Sequence, residues 1–128
     1  MRRYRHDHKD APEVKARLTE AFKALRKLGY VTRQSYLCCG SCAAAAIGSK
    51  FEEQGVPEAN RKAVYFSRQG GEHLMGSATV HISWGGSGQE VVEACKAAGL
   101  GVNWDGDDWS CVEVFKAPVV ATENLNEQ

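Results

Sequence analysis

The sequence predicts an α+β domain. About four mostly antiparallel strands form two hairpins, with helices packed on one face, in the order ααββαββ. Two observations carry this expectation. Apolar residues recur at helical spacing in three stretches and alternate with polar ones in others. Glycine or proline stands where one period gives way to the next.

The first helix is predicted over about 11–28. Asp10 fits an N-cap, Pro12 sits in the first turn and Glu13 completes a capping-box spacing. Val14, Leu18, Phe22, Leu25 and Leu28 form one stripe, and Gly29 ends it. Tyr30–Leu37 fits either a short strand or an extended connector. A second helix is expected over about 41–54, with Ser41 as N-cap, Ala43–Ala46 as strong helix formers and Gly55 and Pro57 as the stop. The small side chains of Ala43–Ala46 and Gly48 suggest close packing against another element.

Ala63–Phe66 reads as a strand and Ala78–Trp84 as its partner, with Gln69-Gly70-Gly71-Glu72 as a turn between them. Ser87 and Glu90 then form a second capping box ahead of Val91, Val92, Cys95 and Ala98, and Gly99 stops that helix. Leu100, Val102 and Trp104 alternate as a strand, Asp105-Gly106-Asp107-Asp108 turns, and Trp109–Phe115 closes the second hairpin. The whole is expected to be one domain over 1–128, with loose tails at about 1–9 and 118–128.

Composition narrows the function classes. Lys+Arg and Asp+Glu number 16 each, so no global field draws the chain toward nucleic acid or an anionic membrane. Arg2, Arg3 and Arg5 read as a basic, frayed terminus. No stretch has the length of a membrane span and no apolar segment follows the charged start, which predicts a cytoplasmic protein. In a reducing compartment five cysteines point to thiols, metal ligands or redox groups rather than a disulfide framework.

Three of those cysteines fall within five residues, in Leu37-Cys38-Cys39-Gly40-Ser41-Cys42-Ala43. Cys39 and Cys42 lie at or just before a helix N-terminus, where unpaired N–H groups and the helix dipole favour thiolate. Gly40 and Ser41 are small enough to let the turn close. Three readings stand. Cys38, Cys39 and Cys42 could ligate zinc, with Cys95, Cys111, His73 or His81 as fourth ligand. Cys39 could attack and Cys42 resolve in thiol–disulfide chemistry. Or the three sulfurs simply pack a tight turn. The layout resembles the strand–CxxC–helix unit of thioredoxin-like proteins over this motif alone. A thioredoxin sheet would need a βαβ unit after the first strand, and the residues point to none.

The other candidates have plainer explanations. Cys95 faces the core from its helix, and His81 faces away from Ile82 and Trp84, either toward solvent or beneath a helix. Cys111 is open to either environment, and His73 lies in a loop. Asp105, Asp107 and Asp108 suit a turn better than a calcium loop. Gly85-Gly86-Ser87-Gly88 could cradle a phosphate but lacks the P-loop residues, so a turn with an N-cap explains it. Trp109 could form a surface platform; the other aromatics fall at strand spacing and read as core.

One further pattern is informative. Gly29-Tyr30, then Cys38-Cys39-Gly40-Ser41-Cys42-Ala43, Val64-Tyr65-Phe66 with Gln69, and Glu90-Val91-Val92-Glu93-Ala94 through Gly99-Leu100 to Trp104-Asp105-Gly106 occur in that order. The order resembles a bacterial family of uncharacterised domains with a CC-x-x-C-A motif, over roughly residues 25–115. The resemblance implies a fold unit and no assigned activity. In that family the aromatic strand tends to be followed by His and Gln-Asp, where this chain has Ser67-Arg68-Gln69-Gly70. A site that relied on those groups would be impaired here.

The expected function is a non-enzymatic binding or accessory module with a cysteine-bearing turn, zinc-stabilised in one form, that contacts another protein. The alternative is a thiol-dependent redox protein using Cys39 and Cys42. A third option is a small-molecule binder built on the glycine turn. Nucleic acid and membrane are not expected partners.

Overall fold

The computed structural model describes residues 8–108 and 110–117. A 3-10 turn at His8–Asp10 leads into α1 (Ala11–Lys27), followed by β1 (Val31–Arg33), α2 (Gly40–Glu53), β2 (Ala63–Tyr65) and α3 (Arg68–Ser77). Then come β3 (Thr79–Gly85), α4 (Gly88–Ala97), β4 (Leu100–Asn103) and β5 (Val112–Lys116). The α+β class holds. Among the described residues, however, there are four helices and five strands, and the sheet is mixed. Its order is β1-β2-β3-β5-β4, with β1 parallel to β2 and every other pair antiparallel. Of the tails expected at about 1–9 and 118–128, His8 and Lys9 fall in the 3-10 turn, while residues 1–7 and 118–128, like Trp109, lie outside the described residues.

Two differences from the predicted order ααββαββ have clear causes. The 30–37 segment forms a real strand, β1, because it pairs Val31–Arg33 with Ala63–Tyr65. That pairing makes β1–α2–β2 a parallel crossover, the βαβ unit that the residues did not suggest. The stretch around Gln69–Glu72 is the start of α3 and not a hairpin turn, so β2 and β3 are neighbours joined through a helix. Its two glycines signal close packing rather than a turn. A Cβ on Gly70 would lie 3.3 Å from the Phe66 Cβ, and one on Gly71 would collide with Ser35 Oγ. The second predicted hairpin is present: Leu100–Asn103 pairs with Glu113–Lys116. Its second strand begins at Val112, later than expected.

The helices also do not share one face. The main core joins Val14, Leu18, Phe22 and Leu25 of α1, Leu74 of α3 and Val91 and Cys95 of α4 to Val64, Val80, Ile82, Val112 and Val114 of the sheet. A smaller core joins Ile47 and Phe51 of α2 to Ala63, with Val31, Tyr36, Val56 and Tyr65 packed around it. Side chains alternate across a strand, so Val64 points to one face and Ala63 and Tyr65 to the other. α2 therefore covers the β1–β2 end of the sheet from the side opposite α1. Burying the main-core side chains supplies most of the driving force, each worth about 1.5–3 kcal/mol when fully buried.

Several predicted caps are rearranged. Asp10 makes no side-chain cap bond; its carboxylate instead accepts from Lys116 Nζ at 3.4 Å, tying α1 to β5. Cys39, not Ser41, occupies the N-cap of α2. Close packing of the alanine run holds for Ala43 alone, while Ala44 and Ala45 are exposed and Gly48 has open space beside it. Ser87 does cap α4, its Oγ accepting the Glu90 N–H at 3.2 Å. The reciprocal half of the box passes through Tyr30, whose hydroxyl accepts the Ser87 N–H at 3.0 Å and donates to Glu90 Oε1 at 2.8 Å. The Tyr30 ring thus pins the start of α4 to the end of α1, and its hydroxyl occupies the glycine turn. That turn caps α4.

Candidate functional site

The three clustered cysteines stand at the carboxyl end of the parallel pair. In open α/β sheets that edge is where ligands collect, because strands there run into loops and helix N-termini. After β1 the chain crosses left-handed backbone at Ser35, with φ of 49°, and at Leu37, with φ of 61°. These are unusual conformations for residues with a Cβ. They are held by pairing to the segment after β2. Tyr36 N–H donates to the Phe66 carbonyl at 3.0 Å, Arg68 N–H to the Leu37 carbonyl at 2.9 Å and Gln69 N–H to the Cys38 carbonyl at 3.3 Å. The loop carbonyls thereby satisfy first-turn N–H groups of α3, which would otherwise lack partners. Ser67 Oγ completes that terminus by accepting Gly70 N–H. Two helix N-termini, those of α2 and α3, converge on this loop.

The sulfurs are close together and reachable. Cys38 Sγ lies 3.8 Å from Cys39 Sγ and 3.4 Å from Cys42 Sγ. All three sulfurs fall within 4.8 Å of one another. Cys38 and Cys42 are exposed and Cys39 is half-buried. No full cap hydrogen bond reaches the Cys39 sulfur. The nearby Cys42 N–H nonetheless favours its thiolate, and with the Cys42 and Cys38 thiols it holds Cys39 below the usual thiol range. The hydrogen-bonding contacts with Cys38 and Cys39 push Cys42 the other way, up to about 11. The cluster so favours one thiolate beside a neighbour that keeps its proton.

Of the fourth ligands considered from the sequence, none joins this group among the described residues. Cys95 is fully enclosed in the main core, and burial pushes its thiol up to about 12. Cys111 is exposed just ahead of β5, 3.8 Å from Ser83 Oγ. His73 lies on α3 rather than in a loop, and its ring sits 6.4 Å from that of His81. His81 is exposed rather than helix-covered, with Glu113 Oε2 at 3.9 Å. Asp105 Oδ1 accepts Asp107 N–H and its Oδ2 accepts the Ser110 hydroxyl, so this carboxylate is spent on the turn.

The sequence did not disclose that the start of α3 supports the thiol loop. Ser67 three residues ahead of Gly70, with Leu74 and Ala78 following at helical spacing, carried that signal, and the glycine pair masked it.

The arrangement defines a class: a mixed-sheet α+β domain presenting three thiols at the carboxyl end of a parallel strand pair. A family model described as "Domain of unknown function (DUF6891)" matches residues 3–117, and the chain belongs to that family. No curated protein and no solved structure matches it. No helix among the described residues is long and apolar enough to cross a membrane.

Proposed function

We propose that the chain is a small binding module that holds a thiophilic metal ion, zinc in particular, through Cys38, Cys39 and Cys42. One observation carries this reading: the triangle of sulfurs, with two edges of 3.4 and 3.8 Å. Two thiolates each ~2.3 Å from a tetrahedral ion lie about 3.8 Å apart. The two edges are thus close to the spacing that shared ligation of one ion requires, and the third is under 4.8 Å. Soft thiolate donors select zinc or copper(I) over magnesium or calcium. Three protein ligands leave one position for water or for a side chain of a partner protein, and the exposed sulfurs give a partner access. This supports an accessory role in which the ion joins the module to another protein.

Cobalt(II) substitution tests the proposal. Reduced protein should take up one ion per chain and show intense thiolate-to-cobalt charge-transfer absorption with tetrahedral d–d bands. Cys42→Ala should abolish the tetrahedral bands, and Cys95→Ala should leave them. A protein that shows no thiolate–cobalt absorption at stoichiometric metal has no such centre.

A second reading has its own support: the crossover unit places Cys39 and Cys42 at the start of α2, with all three sulfurs accessible. In thiol–disulfide exchange, Cys39 thiolate would attack one sulfur of a partner's disulfide. A mixed disulfide forms, and the partner's other sulfur leaves and takes a proton. Cys42 then loses its proton to solvent and attacks the Cys39 sulfur, releasing the partner as a dithiol. The chain ends oxidised and the partner reduced. Treating metal-free protein with a small disulfide and measuring its mass separates the readings. Loss of two hydrogens with no adduct supports exchange, and a stable adduct on a single cysteine opposes it.

A further inference from the structure

A cleft of about 250 Å³ opens beside the smaller core, between the ends of α1 and α2 and along β1. Its apolar wall is Val31, Tyr36, Ile47 and Phe51. Three cations also line it, Arg26, Arg33 and Lys50, and no carboxylate does. Lining residues of one charge sign in a hollow focus an attractive field on ions of the opposite sign.

The cations differ in how they are held. Arg26 directs Nε and Nη2 at one oxygen, Thr32 Oγ1, at 3.3 and 2.8 Å. Thr32 Oγ1 accepts both bonds, which fixes the plane of this guanidinium. Arg33 donates through Nη1 to the Thr32 carbonyl at 2.8 Å, and its guanidinium stands 5.6 Å from the centre of the Tyr36 ring. This leaves its other N–H groups for a ligand. Lys50 has no partner among the described residues and is exposed at the rim. Two guanidinium planes fixed in place with a mobile ammonium beside them suit an oxyanion, since the planar fork matches carboxylate or phosphate oxygens. A dry cavity of about 150 Å³ already admits a benzene-sized body. The cleft therefore has room for one ring and a charged head.

We propose that this cleft binds a small organic anion: a carboxylate or phosphate head held by Arg33, Arg26 and Lys50, with a single apolar ring or equivalent tail against Ile47, Phe51 and Tyr36. The proposal rests on the β1–α2 cleft and is independent of what the thiols hold. It is also one that the order of residues hides, because the three cations come from three different elements.

The test uses the full chain and three probes: benzoate, phenyl phosphate and benzamide, the last being the neutral match of benzoate. Binding is followed by amide chemical shifts and calorimetry. The two anions should shift Arg33, Tyr36, Ile47 and Phe51 amides, and benzamide should bind at least tenfold more weakly. Benzoate binding over phenyl phosphate identifies a carboxylate site, and the reverse a phosphate site. Lys50→Gln, at an exposed position, should weaken the anions several-fold, and Arg33→Gln should weaken them tenfold or more while leaving benzamide unchanged. Equal binding of benzamide and benzoate overturns the proposal, as do shifts confined to other surfaces or no binding at millimolar probe. Should Arg33→Gln unfold, the Lys50→Gln comparison decides alone.

Discussion

The two ends of the sheet are built differently. At the β3–β5–β4 end, antiparallel strands place Val80, Ile82, Val112 and Val114 in the main core under α1 and α4. At the β1–β2 end, two three-residue strands run parallel, α2 crosses the opposite face, and the small core there holds Ile47, Phe51 and Ala63. The first end carries bulk burial. The second carries the thiol triangle and the cationic cleft. Short parallel strands leave loops and helix ends at their rim, so the candidate sites lie where burial is thinnest.

The contrast can be broken most sharply from the core side. Phe22→Ala, at a fully buried position packed 6.2 Å from the Phe66 ring, should cost about 3–5 kcal/mol by denaturant titration. A loss within experimental error would show that the main core does not dominate stability. Gly88→Ala comes next, because its new Cβ would lie 2.5 Å from the Trp104 ring and 2.9 Å from that of Trp84. Overpacking of this kind costs about 1–3 kcal/mol. Tyr30→Phe removes the hydroxyl joining Ser87 to Glu90, with an expected cost of about 1–2 kcal/mol. Burial pushes the Tyr30 phenol up to about 12, with Glu90 reinforcing the shift, from an ordinary value of 10.0. The folded state thus holds this proton more tightly than the unfolded state does. Its contribution is complete below pH 10 and is lost as pH rises toward 12. Thermal melts across that window should fall less steeply in Tyr30→Phe than in the parent.

The smallest effect on stability belongs to the site. Cys42→Ala should change unfolding free energy by no more than about 0.5 kcal/mol, as for other exposed substitutions. The two ends should also separate in alkylation. In native metal-free protein Cys39 should react first with iodoacetamide, and Cys95 should stay unmodified until the chain unfolds. Burial pushes the Cys95 thiol up to about 12 and encloses it in the core, so it offers little thiolate and no access at neutral pH. Early labelling of Cys95 would mean that its core opens readily.

The same contrast explains what the residues disclosed. Elements at the antiparallel end have strong periods and conventional stops, so α1, α4, β3 and the β4–β5 hairpin were legible, as was the buried Cys95. The parallel end depends on pairings distant in sequence. Val31–Arg33 becomes a strand only because Ala63–Tyr65 lies beside it. Gly70 and Gly71 read as a turn because their role, clearing space for Phe66 and Ser35, exists only after folding. The thiol cluster was visible as a motif. Its exposure and its sulfur triangle required the loop geometry, and the cleft required α1, β1 and α2 together.

The two hydrogen bonds from α3 to the Leu37 and Cys38 carbonyls have a consequence for observation. The amides of Arg68 and Gln69 are bonded to the backbone that carries the sulfurs, so an ion, an oxidation or an adduct that shifts that backbone should alter them. Those two protons form a built-in gauge: their exchange with solvent reports the state of the thiols from a different helix, without a label on any cysteine.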